Sequence, residues 1–492
     1  MLAVLGVLSL WTLFLDLRYA HLNHLVWTGT NGPFLVDQMQ YLAWIRDAAA
    51  HGLASNLFVL HHTAHDYFQP AIEISAGLTW LGVAPYLALL VWKPIGVLAI
   101  FFAVRVCVRR MIEGKWPRRA ALVLALFFGF IGVLGDEWLP FWSWGYDFGL
   151  LSVGSLTAAL VVYDRGRRTG RPLWAAPLLG ALTSALHPWQ GEVLIVAVIL
   201  AEIMVSRRPQ IRRLAVATVL GTALPLVYYA ILNVADPSWK MAQAASTHNY
   251  TFLKAVLPLV PLLLPSLLFY RRRAETFLAA TMKTWPLGIL AIYLLSSVGI
   301  GGGSLHSFAG VTIPLGISAV WGINRLDFGR FRLRWVPARR LVTALVIAAL
   351  TIPGTSYMLR FAVFWVSPKL ENANYITEDE RHALEYLDHA PGRGTVVTTA
   401  DMGPVVPGLT GRATFLGDPQ WSLPGWQTRF EAVFRLFRWP YADPAEAAFI
   451  WWTNARFVFA DCRSSYYNLD RKLFSLIRDV HHFGCATVYD IK

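Results

Sequence analysis

The chain has 492 residues, of which 56% are hydrophobic and only 15% are charged, and its formal net charge is +13. Soluble globular domains average about 25% charged residues, and disordered chains lack this much apolar content. These numbers argue against a single soluble enzyme, exclude a disordered protein, and favour a polytopic membrane protein that carries one soluble domain.

Apolar stretches that could cross a bilayer occur along most of the chain, and a crossing takes about 20 residues. We place eleven of them at roughly 2–16, 84–107, 120–135, 148–163, 173–186, 191–206, 213–233, 254–270, 285–300, 306–323 and 341–363. The first has neither a basic segment before it nor a small-residue cleavage site, so we predict a retained anchor. The predicted fold class is an α-helical polytopic membrane protein of about 11 spans.

Clusters of Arg and Lys predict the topology of these spans. They follow the second, fourth, sixth, eighth and tenth stretches, at 105–119, 165–171, 207–213, 271–273 and 325–340. Cytoplasmic loops carry an excess of Lys and Arg, so the N-terminus is predicted to be cytoplasmic and the tail after residue 364 extracytoplasmic. Because topology accounts for the positive charge, nucleic acid is not an expected partner.

The first outer loop, residues 17–83, is far longer than a connector needs to be. From Asp37 it has the pattern of an amphipathic helix, with Tyr41 and Trp44 on the face of Asp37. A second apolar stretch follows near 72–81, and such helices tend to lie along the membrane surface. Asp37 with Gln40 fits a capping box, and a carboxylate that caps a helix with one oxygen can face a substrate with the other.

The second outer loop, residues 136–147, combines three acids with three Trp residues. Carboxylates accept hydrogen bonds from sugar hydroxyls, and aromatic rings stack on the C–H faces of sugars. Asp136, Glu137 and Trp138 are therefore candidates for carbohydrate binding or for a second acidic site, together with Tyr41 and Trp44. The alternative is an aromatic belt at the membrane interface with solvated acids.

Four cationic or titratable side chains of the outer regions are candidate functional residues. Lys93 lies within the second stretch, in the half nearer the outside, and could bind a lipid phosphate. Lys240 lies in an outer loop, and His187 and His306 each adjoin a tight, glycine-containing outer turn. The alternatives are snorkelling for Lys93 and structural roles for the histidines. The sequence contains no P-loop and no G-x-G-x-x-G, H-E-x-x-H or paired C-x-x-C motif. Cytoplasmic nucleotide chemistry therefore has no visible site in this sequence. Because nucleotide sugars and ATP are absent outside the cell, an outer-face transferase needs a donor delivered through the membrane, and a lipid-linked sugar is the natural choice.

The tail, residues 365–492, has the pattern of a small α/β domain, separate from a membrane domain at 1–364. Thr377 is the predicted N-cap of its first helix, and further helices are predicted at 427–438, 444–454 and 467–478. Short buried strands are predicted at 396–399, 456–459 and 486–489. Cys462 and Cys485 each adjoin a strand, and the sequence leaves open whether they form a disulfide or remain two buried thiols.

With these features the chain resembles the GT-C superfamily of polytopic glycosyltransferases, in particular bacterial members of actinobacterial type. The family has many spans, an acid in a long first outer loop, further acids in a later outer loop, and often an outer C-terminal domain. These correspond here to Asp37, to Asp136 and Glu137, and to 365–492. Family members carry Asp-Asp, Asp-Glu or a single Asp in the first loop, and this chain has Asp37 followed by Gln38.

The resemblance implies a hexosyl- or pentosyltransferase in the plasma membrane that uses a polyprenyl-phosphate sugar and a glycan or glycolipid acceptor. Asp37 would be the general base of an inverting transfer. Lys93, His187, Lys240 and His306 would stabilise the departing lipid phosphate. No cofactor is firmly implied, although Asp136 and Glu137 could hold a divalent metal.

The main alternative function is a membrane transporter or flippase of a lipid-linked or polar substrate. Such proteins place polar residues at the middle of the membrane and often have two pseudo-symmetric halves. In this sequence the polar groups cluster at the outer ends of the spans, and the two halves show no matching hydropathy. A non-catalytic scaffold with an exported binding domain is a further alternative.

The topology can be tested by cysteine labelling of intact cells. A membrane-impermeant maleimide should label Glu137→Cys, because its loop is predicted to be outside, and should label Arg168→Cys only after the membrane is permeabilised. Labelling of position 168 in intact cells would contradict the predicted sidedness.

Overall fold

The structure, a computed structural model, describes residues 2–129, 147–170, 173–205, 209–245, 252–300, 304–325, 336–369, 372–392, 394–439, 444–463 and 469–492. Most of this part of the chain is α-helical. Its elements are α1 Leu2–Leu8, α2 Trp11–Leu22, β1 Val26–Trp27, α3 Leu35–His51, α4 Pro70–Trp80, α5 Pro85–Leu90, α6 Trp92–Met111, α7 Lys115–Phe127, α8 Asp147–Thr169, α9 Ala175–Leu186, α10 Pro188–Val205, α11 Pro209–Ala235, α12 Pro237–Ala245, α13 Phe252–Val256, α14 Val260–Tyr270, α15 Phe277–Ser297, α16 Thr312–Asn324, α17 Val336–Val366, β2 Tyr375–Ile376, α18 Glu378–His389, β3 Val396–Thr398, α19 Val405–Thr410, α20 Trp426–Arg438, α21 Pro444–Thr453, β4 Phe457–Ala460, α22 Leu469–Leu473, β5 Ile477–Phe483 and β6 Ala486–Ile491.

Within these ranges, six helical segments are long and apolar enough to cross a membrane. They are Pro85–Met111, Phe148–Thr169, Pro188–Val205, Arg212–Ala235, Phe277–Ser297 and Val342–Val366, and the shorter apolar helices are Ala175–Leu186 and Leu257–Tyr270. This composition is that of a membrane protein, while the predicted count of eleven spans is not confirmed.

The apolar stretch predicted at 2–16 is not one helix. It divides into α1 and α2, and the break falls at Ser9 and Leu10. The Ser9 hydroxyl donates a hydrogen bond to the carbonyl of Gly6 at 2.5 Å. Serine hydroxyls that bond to nearby backbone in this way compete with the helical hydrogen-bond ladder.

The chain divides into two compact units. The first, which we call the helical unit, comprises Met1–Ser9, Trp92–Ile231 and Ser246–Phe361. The second, the loop–tail unit, comprises Leu10–Val91, Leu232–Ala245 and Ala362–Lys492. The long first loop and the C-terminal tail, which are far apart in sequence, therefore fold together.

Small residues allow close helix packing in the helical unit. A Cβ atom at Gly154 of α8 would lie 2.9 Å from the backbone nitrogen of Ile100 in α6, a separation that real side chains do not show. Glycine at this position therefore lets the two backbones meet, as small residues do between membrane helices. Large, fully buried side chains such as Trp285 and Tyr163 fill the core of this unit.

Ion pairs join the C-terminal ends of α6, α8 and α10. Asp164 lies 3.2 Å from Arg110 and 2.9 Å from Arg168, measured between carboxylate oxygen and guanidinium nitrogen. Glu202 lies 2.8 Å from the Nε of Arg167. The three helix ends that precede predicted cytoplasmic loops thus lie at one end of the helical unit. Which side of the membrane this end faces stays a prediction.

The tail contributes a four-stranded sheet to the loop–tail unit. Its order is β3-β4-β6-β5, with β3 parallel to β4 and the other pairs antiparallel. Strands β3, β4 and β6 and helices α20 and α21 form where the sequence predicts them. Helix α18 begins with the predicted cap, because the Thr377 hydroxyl accepts a hydrogen bond from the Glu380 N–H and the Glu380 carboxylate accepts one from the Thr377 N–H.

The helix predicted at 467–478 is wrong over its second half. Helix α22 ends at Leu473, and β5 begins at Ile477 and forms a hairpin with β6. The hairpin turn uses Gly484 with φ of +59°, a conformation that favours glycine. The pairing of β5 with the buried β6 outweighs the local helical pattern of the segment. It satisfies the N–H and C=O groups on the edge of β6 that does not pair with β4.

Cys462 and Cys485 form a disulfide, with their Cα atoms 4.9 Å apart. This bond connects the segment after β4 to the turn of the β5–β6 hairpin, and it resolves the alternative that the sequence leaves open. Cys107 in α6 is a buried thiol.

Candidate active site

The first loop is attached to the tail where it enters α3. Strand β1 pairs antiparallel with β2, so that Val26 faces Ile376 and Trp27 faces Tyr375. Directly after β1, the Thr28 N–H donates to the carbonyl of Asn374 at 3.0 Å. This segment of the first loop is therefore held by backbone hydrogen bonds to a part of the chain that is remote in sequence.

Buried polar side chains fix the next residues. The Gln38 side chain accepts a hydrogen bond from the Asn31 N–H at 2.6 Å and donates one to the Asn31 carbonyl at 2.8 Å. One carboxylate oxygen of Asp16 accepts from the Gly32 N–H at 3.1 Å, and the other accepts from the Tyr375 hydroxyl at 3.1 Å. We call Asp16, Asn31, Gln38 and Tyr375 the polar clamp. It defines the conformation of the chain immediately before Asp37.

Asp37 is half-buried and is the third residue of α3. The predicted capping box of Asp37 and Gln40 is wrong, because the helix begins two residues earlier and its N-cap position is Phe34. Asp37 therefore has helical backbone and lies in the first turn. A carboxylate there interacts favourably with the helix dipole, by about 0.3–1 kcal/mol.

Gln38 has a structural role at the position where some GT-C proteins have a second acid. Its amide both donates to and accepts from the Asn31 backbone. An ionised carboxylate has acceptors only and could not make both bonds. The absence of a second acid directly after Asp37 is thus consistent with the hydrogen bonds that Gln38 makes.

The face of α3 that carries Asp37 continues into a cluster of aromatic rings. Tyr41 lies 6.0 Å from Trp44, measured between ring centroids, and Trp44 lies 4.5 Å from Tyr67 and 5.2 Å from Trp421. Trp239, from α12, stacks on Tyr67 at 4.1 Å. We call these five residues the aromatic cluster. Trp44, Tyr67 and Trp421 are buried, whereas Tyr41 and Trp239 are half-buried.

Two carboxylates adjoin the cluster in sequence and interact with each other. Burial raises the pKa of Asp66, and the negative charge of Asp236 raises it further. One oxygen of Asp236 accepts a hydrogen bond from the Ser238 N–H at 2.6 Å. Two like charges that are close together and partly desolvated favour protonation of one of them.

Several polar atoms of this region are buried and have no hydrogen-bond partner within the described ranges. They are the second carboxylate oxygen of Asp236 and the indole nitrogens of Trp44 and Trp239. A buried donor or acceptor without a partner costs about 1–3 kcal/mol.

The sequence analysis misses Asp66, Tyr67, Asp236, Trp239 and Trp421. The first two follow a histidine-rich tract at 61–65, a composition that could have drawn attention to this part of the loop. The other three come from segments that are remote in sequence, and their patterns carry no local signal for this site.

The predicted phosphate-binding residues fall in both units. Lys240 follows Trp239 on α12 and is exposed. Lys93 belongs to the helical unit and is fully buried. His187 and His306 come together there, with ring centroids 5.3 Å apart. Burial and the neighbouring His306 lower the pKa of His187 to about 3, so this side chain is neutral at physiological pH.

Asp136, Glu137 and Trp138 lie outside the residues that the structure describes. Their assignment to acceptor binding or to a metal site stays a prediction.

The sequence matches no known family model and no curated protein. Its fold, however, occurs in solved structures. The oligosaccharyltransferase of Archaeoglobus fulgidus in its apo form superposes with a TM-score of 0.57 at 12% identity, over 94% of this chain and 70% of that one. The same enzyme, AglB, in complex with an inhibitory peptide and a dolichol-phosphate has a TM-score of 0.53 at 12% identity, over 97% of this chain and 72% of that one.

Two further structures are bacterial. ArnT from Cupriavidus metallidurans in the apo state has a TM-score of 0.50 at 12% identity, over 92% of each chain. The arabinofuranosyltransferase AftD from Mycobacteria has a TM-score of 0.57 at 13% identity, over 100% of this chain and only 40% of that one. All of these proteins are GT-C glycosyltransferases. The chain therefore has the GT-C fold, as the sequence resemblance predicts.

The role of Gln38 in the polar clamp can be tested with Gln38→Glu. At neutral pH the ionised carboxylate cannot donate to the Asn31 carbonyl, so we expect a loss of about 1–3 kcal/mol in stability, measured as a lower thermal unfolding temperature. A protonated carboxyl can donate, so its pKa should be raised in the folded state, and the deficit should shrink as the pH falls. Asn454→Asp, which also replaces an exposed amide with a carboxylate, is the control. A deficit that is equal at pH 4 and pH 8 would contradict this role.

Proposed function

We propose that this chain, with its GT-C fold, moves a sugar from a polyprenyl-phosphate donor to a glycan or lipid acceptor on the outer face of the plasma membrane. Asp37 would be the general base. One observation carries the proposal: the polar clamp holds the entry to α3, so that the Asp37 carboxylate stands on the same helix face as Tyr41 and Trp44. An acid is thus placed next to rings of the kind that bind sugars.

The chemistry follows from the leaving group. Polyprenyl phosphate is a weak base and departs with the electron pair of the anomeric C–O bond without a strong general acid. The acceptor hydroxyl is a poor nucleophile, and Asp37 would remove its proton as the new C–O bond forms. Attack from the side opposite the phosphate inverts the anomeric centre.

The aromatic cluster would bind the acceptor. Tyr41 and Trp239 are its half-buried members and provide ring faces for stacking. The unpaired indole N–H groups would donate hydrogen bonds to sugar hydroxyls, and the free oxygen of Asp236 would accept one. Asp136, Glu137 and Trp138 would extend this acceptor site.

The donor phosphate requires hydrogen-bond donors and positive charge. Lys240 of the loop–tail unit is one candidate for this role, and Lys93, His187 and His306 of the helical unit are the others. The Nδ1–H of neutral His187 donates to the Gln190 side-chain oxygen, so His187 would donate to a phosphate only after its other ring nitrogen takes up a proton. Support for a lipid-linked donor comes from AglB, which has been solved with a dolichol-phosphate. A divalent metal would be compatible with this scheme, and AglB has been solved with Zn and sulfate.

The catalytic proposal is tested by Asp37→Asn. Removal of the base should lower the transfer rate by about 10²–10⁴-fold without changing expression, and should cost only about 0.3–1 kcal/mol in stability through the lost helix-dipole interaction. The transfer rate is measured with radiolabelled polyprenyl-phosphate hexoses and pentoses in native membranes. Glu431→Gln, at an exposed position in the same unit, should transfer at the wild-type rate. Undiminished transfer by Asp37→Asn would remove Asp37 from the catalytic role. Movement of the labelled lipid across the bilayer without transfer would instead favour a flippase.

The acceptor site is tested by Trp239→Ala. Loss of the stacking ring should raise the KM for the acceptor about tenfold, equivalent to about 1.4 kcal/mol, with little change in kcat. Trp239→Phe should restore part of the affinity, because the ring face is retained. Trp451→Ala, which removes an exposed ring of α21, is the control, and an unchanged KM in Trp239→Ala would contradict acceptor binding by the cluster.

A further inference from the structure

Three potential metal ligands converge at the C-terminal end of α3. One carboxylate oxygen of Asp47 lies 2.9 Å from Nδ1 of His51 and 3.2 Å from Nε2 of His65. The three ligand atoms all lie within 4.8 Å of one another. The proposed transfer reaction uses none of these residues.

Two features of the fold build this arrangement. Asp47 and His51 are four residues apart on α3 and therefore share one helix face. His65 lies close to this face because Ala54 and Tyr67 exchange two backbone hydrogen bonds, of 3.2 and 3.1 Å. These bonds close the loop between residues 54 and 67. The rings of His51 and His65 then lie 4.2 Å apart, measured between centroids.

The carboxylate is itself held in position. The second oxygen of Asp47 accepts hydrogen bonds from the N–H and the hydroxyl of Ser55, both at 2.7 Å. Asp47 is only 5% exposed, so its orientation is defined by the protein. Metal-binding carboxylates commonly have such partners, which orient the coordinating oxygen.

We propose that Asp47, His51 and His65 bind a divalent transition metal, zinc in the first instance. Zinc takes His nitrogen at about 2.0–2.1 Å and carboxylate oxygen at about 2.0–2.2 Å in tetrahedral geometry, which sets neighbouring ligand atoms about 3.3 Å apart. The separations around Asp47 are close to this value. Two imidazoles with one carboxylate suit zinc better than magnesium or calcium, which prefer oxygen ligands. Water or His62, whose ring centroid lies 5.6 Å from that of His65, completes the site.

The metal would connect the loop to α3. His65 is followed directly by Asp66 and Tyr67, which belong to the proposed acceptor site. A metal bound to His65 would hold this segment against the helix that carries Asp37. The second potential ligand group among the described residues, Asp379 with Cys462 and Cys485, has both thiols in the disulfide.

The test measures metal binding directly, with the full-length protein purified in detergent and stripped with a chelator. Isothermal titration with Zn²⁺ should give one site per chain, and Zn²⁺ should raise the thermal unfolding temperature. His51→Ala and His65→Ala should each weaken binding by about 100-fold or more, because outer-shell changes alone cost about 10–100-fold. Both side chains are partly exposed, so the metal-free variants should unfold at the wild-type temperature.

His61→Ala is the matched control, since it removes an exposed imidazole from the same histidine-rich tract and should bind Zn²⁺ with wild-type affinity. Wild-type affinity in His51→Ala and His65→Ala, or no stoichiometric binding by the unaltered protein, would overturn the proposal. These outcomes are independent of sugar transfer. Loss of metal binding with normal transfer would leave the catalytic proposal intact, and metal binding by Asp37→Asn would leave the zinc site intact.

Discussion

The docking of the first loop onto the C-terminal tail is the interaction on which the candidate site depends. Thr28 bonds to a carbonyl that is 345 residues away in sequence, and the Asp16–Tyr375 hydrogen bond spans 359 residues. These bonds are buried, so a missing partner would leave a polar group unsatisfied at a cost of about 1–3 kcal/mol. The position of the catalytic candidate is therefore a property of the folded loop–tail unit, and the isolated loop could not maintain it.

Helix α3 carries residues of the proposed catalytic, acceptor-binding and metal sites along its length. Its 17 residues extend over about 25 Å. Asp37 lies in its first turn, Tyr41 and Trp44 of the aromatic cluster lie in its middle, and Asp47 lies near its end. The helix can serve this purpose because it is packed closely against α19. A Cβ atom at Gly408 would lie 3.1 Å from the backbone oxygen of Met39, which is tighter than most Cβ contacts, so glycine favours this approach.

The GT-C fold and the site contribute different parts of the functional argument. A fold can host several activities, and at 12–14% identity the solved structures establish the architecture alone. What favours glycosyl transfer is local: one acid on the helix face that carries aromatic rings, and indole N–H groups and a carboxylate oxygen that have no hydrogen-bond partner among the described residues. The same local argument explains Gln38, whose amide makes two backbone bonds that an acid at that position could not make.

The sequence by itself determined the features that depend on local patterns. Apolar length indicated a membrane protein, the Thr377 cap marked the start of α18, and an amphipathic repeat indicated a helix from Asp37, which in the structure begins at Leu35. Only the tertiary structure decided which remote residues meet. It brought Trp239 and Trp421 to Trp44, His65 to Asp47, and Cys462 to Cys485, and it made 477–483 a strand through pairing with β6. Periodicity reports how a segment relates to its own neighbours, whereas these contacts are set by packing between segments and leave no trace in either segment alone.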